Sequence, residues 1–84
     1  MKTYYACAIA NGITYNATVT DFGNGRGGEA IYKESPMGQT CLSDEDFSIK
    51  LLGSASKSEY AKCILASAIY KDAHVTPNNI QWRA

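Results

Sequence analysis

Tyr4–Ala10 is a continuous apolar and aromatic run, Ile13–Thr20 alternates hydrophobic with polar residues, and Asn11-Gly12 separates the two. Both of these residues tolerate positive φ, which a two-residue type I′ hairpin turn requires. The flanking segments, Thr3–Ala10 and Ile13–Thr20, are rich in β-branched and aromatic residues and read as its two strands. Closing the turn at Ala10 and Ile13 sets Ala8 opposite Tyr15, Ala6 opposite Ala17 and Tyr4 opposite Val19. One face then carries Tyr4, Ala6, Ala8, Ala10, Ile13, Tyr15, Ala17 and Val19, and the other carries Tyr5, Cys7, Ile9, Thr14, Asn16, Thr18 and Thr20. A one-residue slip would exchange the two faces, so burial of the first one fixes the register. Its alanines leave room for a close neighbour.

That neighbour is a helix. Ser56-Lys57-Ser58-Glu59 fits a capping box opening a helix over about 58–73. Ala61, Ile64, Leu65, Ala68 and Ile69 fall at i, i+3, i+4, i+7 and i+8, a stripe suited to the alanine face. Between hairpin and helix, the glycines of Phe22–Gly28 predict a loop, Glu29–Glu34 a third strand, and Ser35-Pro36-Met37-Gly38 its end. Thr40–Gly53 is ambiguous: Ser43 with Asp46 suits a short helix, whereas Phe47, Ile49 and Leu51 alternate as in a strand, the reading preferred for Phe47–Leu51. Thr76-Pro77-Asn78-Asn79 ends the helical segment, and Ile80-Gln81-Trp82 suits a last strand. The expected fold is α+β: a two-layer sandwich, an antiparallel sheet of three to five strands with one main helix on one face.

The 84 residues suit a single domain spanning 1–84. With 45% hydrophobic and 19% charged residues the chain is globular in composition. Eight basic and eight acidic residues cancel, and no two basic ones are adjacent, which argues against the concentrated positive face of a nucleic-acid or membrane-surface binder. Cys7, Cys41 and Cys63 are odd in number and widely spaced, and one histidine completes no Cys/His zinc set, so reduced thiols and a cytoplasmic location are expected. Ala8-Ile9-Ala10 has the small-x-small look of a cleavage site, but the segment before it is shorter than the roughly 15–30 residues of a signal peptide.

Candidate chemistry is sparse. Gly23-Asn24-Gly25-Arg26-Gly27-Gly28 is glycine-rich, yet it leads into a strand rather than a helix and lacks a following Gly-Lys-Ser/Thr, so it reads as a β–β connection with Arg26 at its tip. His74 falls in or just past the last helical turn, where a cation is favoured by the helix dipole. Asp44-Glu45-Asp46 lacks the oxygen-ligand spacing of a calcium loop and is expected in a solvated turn or helix start. The order of three antiparallel strands, a helix and a strand resembles the first half of the ribonuclease H-like fold. That resemblance implies a metal-binding role for Glu59, but carboxylates are missing near Tyr5–Cys7 and Gln81–Trp82, where it implies partners for the ion.

With no catalytic residues, cofactor or metal site expected, the chain reads as a non-enzymatic protein-binding regulator or inhibitor acting by stoichiometric docking. In size and composition it is similar to small phage-encoded proteins that block host defence, anti-CRISPR proteins among them. Tyr60, Cys63, Ser67 and Tyr70 lie opposite the apolar helix stripe and form one candidate contact surface, for another protein or for a second copy in a homodimer. Tyr5 and Ile9 on the uncovered sheet face form another, with Arg26 beside it. A third-strand neighbour, Ile31 or Tyr32, shares that face, and the alternative function is single-strand nucleic-acid binding through Tyr5, Tyr32 and Arg26.

Overall fold

The computed structural model describes residues 1–48 and 56–83. Strands β1 (Lys2–Ala10), β2 (Ile13–Asp21), β3 (Arg26–Ser35) and β4 (Gly38–Ser48) are followed by helix α1 (Lys57–Ala73), a 3-10 turn (Pro77–Asn79) and a short strand β5 (Gln81–Arg83). The strands form one antiparallel sheet in the order β4-β3-β2-β1-β5. Among the described residues the arrangement is α+β, a five-stranded sheet with one α-helix.

The hairpin has the expected register. Ala10 pairs with Ile13, Ala8 with Tyr15, Ala6 with Ala17 and Tyr4 with Val19. Asn11 and Gly12 have φ of 51° and 75°, the two positive values the turn demands. Ala8, Tyr15, Ala17 and Val19 are fully buried together with Ala61, Leu65 and Ile69 of α1, so the small side chains of β1 let the helix lie close to the sheet.

Ser56 caps α1, its Oγ accepting a hydrogen bond from the Glu59 N–H at 3.1 Å. The other end closes at His74, which adopts a left-handed φ of 58° and donates its N–H to the Tyr70 carbonyl. A side chain at that conformation is strained, and glycine is not. His74→Gly is expected to raise stability by about 0.5–1 kcal/mol, read as a higher urea midpoint with an unchanged slope.

Three expectations are corrected. Gly27 and Gly28 belong to β3, pairing with Asp21 and Thr20 of β2, so the loop after β2 is shorter than the glycine pattern suggests. Arg26 therefore opens β3 instead of tipping a loop, with its N–H donated to Asn24 Oδ1. Asp44-Glu45-Asp46 is neither turn nor helix start: it lies inside β4, opposite Ala30, Glu29 and Gly28. A strand at the sheet edge has one side open to solvent, so charged residues are tolerated there and hinder uncontrolled pairing. Phe47 and Ser48 close β4, and positions 49–51 of the strand expected over Phe47–Leu51 lie outside the described residues.

Candidate docking groove

One helix is about 10 Å across and strands are about 4.8 Å apart, so a single helix covers roughly two strands. Here α1 lies over β1 and β2 and scarcely reaches β3. Among the described residues the inner face of β3 and β4 is therefore only partly covered by the helix: Ile31 is buried at 5% exposure, while Leu42 and Phe47 are half-buried at the margin of the core. The result is a groove of about 480 Å³ whose apolar lining is Ile31, Leu42, Ile64 and Ala68. Leu42 is brought into it by a bulge in β4 between the pairs Ile31–Ser43 and Tyr32–Cys41. A bulge re-aims a side chain that strict alternation would send elsewhere.

The rim is polar. At one end Glu29 of β3 stands directly opposite Glu45 of β4, both lining the groove. Like charges across a strand pair repel. Tyr60 relieves part of this by donating its hydroxyl to Glu29 Oε2 at 3.2 Å while its ring packs on Phe47, centroids 5.4 Å apart. Burial first, and then the Glu29 charge, push the Tyr60 phenol above its ordinary value. At the other end Lys71 and Asp72 line the groove. Asp72 accepts from the Tyr15 hydroxyl at 2.7 Å and pairs with Lys33 at 3.2 Å. The Tyr15 hydrogen bond, aided by the Lys33 ammonium, holds the Asp72 carboxyl below its usual range against the opposing effect of burial. Tyr15 itself, buried and beside that carboxylate, is pushed up to about 12.

The helix residues singled out from the sequence divide into two sets. Tyr60 is half-buried at the acidic end of the groove, and Ser67 lines its helix wall. Cys63 is exposed, and Tyr70, 53% exposed, meets the His74 ring edge-on. These two are not among the residues that line the groove. Alternation along β3 places Ile31 on the helix side, which leaves Tyr32 as the strand-3 neighbour on the open face. Sequence reasoning missed Ile31, Leu42, Glu29 and Glu45 as groove residues. The period-two rule places Ile31 and Glu29 on the helix side, but nothing in the sequence marks the bulge at Leu42.

The open face carries Tyr5, 72% exposed, and half-buried Ile9, Cys7 and Tyr32 around Thr18 and Asn16. Strand register puts Glu34, Asp44 and Asp46 on this face, against Arg26 and Arg83. Tyr5 on β1 and Tyr32 on β3 are separated by β2 and offset along it, and the acids on their face oppose phosphate, so the face lacks the charge that stacking modules combine with aromatic residues. Cys7, Cys41 and Cys63 are free thiols. Glu59 is exposed in the first turn of α1, and no group of three or more His, Cys, Asp or Glu side chains able to hold a metal ion occurs among the described residues. No described helix is long and apolar enough to cross a membrane. No family model matches the chain, and no curated protein or solved structure is significantly similar to it.

Proposed function

We propose that this chain acts by docking stoichiometrically on another protein, in the cytoplasm, with the groove beside α1 as its contact surface and without chemistry of its own. The observation that carries this reading is the group Ile31, Leu42, Ile64 and Ala68, apolar side chains lining a groove that α1 does not cover. A concave apolar strip framed by a few polar groups is the form that a partner's anchoring side chain fits. The free thiols and balanced charge agree with a role decided by shape and contact. Size and composition similar to those of phage proteins that block host defence make components of such defence systems the first partners to test.

The test uses the tagged chain in a lysate of the organism that encodes it or of that organism's host. Ser67→Arg places a bulky cation on an exposed part of the groove wall, where folding tolerates it. One partner recovered at a 1:1 ratio is expected to bind about tenfold more weakly to Ser67→Arg and unchanged to Tyr5→Ala. Loss with Tyr5→Ala alone would move the contact to the open sheet face. Equal retention by both variants would remove the groove from the reading.

A further inference from the structure

We infer that the groove and the outer edge of β4 together accept an extended, basic segment of the partner as a sixth strand, an inference that rests on the docking reading above and names its occupant. Three features on the same side of the molecule lead to it. The strand order puts β4 at the sheet edge, and among the described residues its 11 residues pair only with β3. Along such an edge the outward backbone N–H and C=O groups are a template for another strand, the basis of recognition by strand addition. The groove opens between this strand and α1, so every second side chain of an added strand would point toward it.

The chemistry of those side chains follows from the register. Beyond the bulge, Ser43–Ser48 pairs regularly with Ile31–Arg26, giving a short straight stretch for pairing. Within it Glu45 turns to the groove beside Glu29, while Asp44 and Asp46 turn to the open face. An incoming strand meets carboxylates on both of its faces. On the groove side the lining of Ile31, Leu42, Ile64 and Ala68 suits the methylene stem of a lysine or arginine, with its charged head at the Glu29–Glu45 end and away from Lys71. A cation between Glu29 and Glu45 would also remove the repulsion built into that cross-strand pair. The same charges disfavour a second copy paired edge to edge through this stretch, because antiparallel self-pairing centred on Glu45 would bring Asp44, Glu45 and Asp46 onto themselves.

The probe is a short synthetic peptide alternating lysine with valine, titrated into the intact chain and followed by amide chemical shifts and fluorescence anisotropy. Controls are the glutamate–valine analogue and the lysine peptide N-methylated at every residue, which removes N–H donation along both strand edges and keeps the charge. The lysine peptide is expected to bind with shifts confined to β4 and the groove. Binding is expected to fall at least about tenfold in Glu45→Lys and with N-methylation, and to weaken steeply with salt. Glu45→Gln, which removes one charge without reversing it, should fall between wild type and Glu45→Lys. Unchanged binding of the N-methylated peptide, or shifts outside β4, would reduce the contact to plain charge attraction and overturn strand addition. Self-association of the chain that Glu45→Lys abolishes would make a second copy the occupant and equally overturn it. If the peptide does not bind while the 1:1 partner is still lost from Ser67→Arg, this inference fails and the docking reading stands. If the partner survives Ser67→Arg as well, both fail.

Discussion

Leu65→Ala is expected to cost about 4 kcal/mol, the upper part of the range for deleting a buried leucine. Leu65 has no exposed surface and stands between Ala61 and Ile69 on the inward stripe of α1. The sheet beneath it offers Ala6, Ala8, Ala10 and Ala17. The cost of a cavity depends on how far neighbours can move into it, and alanine methyls held by a strand backbone have no rotamer with which to do so. The void therefore stays open. A domain of this length has a total stability of roughly 4–13 kcal/mol, so the variant should lose about 15–30 °C of melting temperature or fail to fold at 37 °C. Ile64→Ala is the internal comparison. Its side chain is only half-buried and borders the groove, so solvent can occupy part of the space and the expected cost is about 1 kcal/mol. Melting curves that rank the two the other way would mean that α1 is rotated on the sheet relative to this structure, and that the groove is closed.

That rotation matters because the groove is a direct consequence of the same packing. Five strands and one helix cannot balance two layers of equal width. The inner faces of β1 and β2 consume the apolar stripe of α1, and β3 and β4 are left with Ile31 and Leu42 half matched by Ile64 and Ala68. Small side chains on β1 bring the helix close there and thereby hold it away from β4. The contact surface is what remains after the core is complete.

How much of this could be read from the residues depends on whether the deciding force was local. The hairpin register followed from Asn11-Gly12 and the alternation after it, because turn chemistry and burial agree at every pair from Tyr4–Val19 to Ala10–Ile13. The helix followed from Ser56 and the stripe that includes Ala61, Leu65 and Ile69. Strand β4 was misread over its acidic run because Asp and Glu have low strand propensity, while edge position, a property of the whole sheet, makes them acceptable. Gly27 and Gly28 read as loop for a related reason. The Phe22 ring lies over Gly28, so close that a Cβ added there would meet it at 3.1 Å, and the strand continues beneath this cover. As for the site, the helix wheel identified Tyr60 and Ser67 as facing away from the core, but it could not divide them from Cys63 and Tyr70, since that division depends on which side of α1 the sheet extends. The facing pair Glu29 and Glu45 needed the β3–β4 register, which the bulge at Leu42 shifts.

Removing one oxygen atom should change the pH dependence of folding at both ends of the scale. In Tyr15→Phe the fully buried ring remains and the 2.7 Å hydrogen bond from its hydroxyl to Asp72 is lost. A hydrogen bond to a charged acceptor contributes about 1.5–3 kcal/mol, and Asp72 keeps Lys33 as a partner, so a cost of about 2 kcal/mol at neutral pH is expected. The tyrosine's folded pKa is raised from 10.0 to about 12, so the unfolded chain loses this proton first. The stability linked to the phenol is whole below pH 10 and is lost as the pH rises through the interval to about 12. Asp72 has the opposite sign. Its folded pKa lies below 3.8, so its contribution is whole above that pH and is lost as the pH falls through the folded value. Phenylalanine abolishes the first titration and weakens the second. The difference in urea-unfolding free energy between wild type and Tyr15→Phe should therefore be flat from about pH 5 to 9 and shrink on both sides, by about 2 kcal/mol on the alkaline side. A difference that stays constant up to pH 12 would show that the Tyr15 proton is not held by Asp72, and the anchor at the Lys71–Asp72 end of the groove would be lost with it.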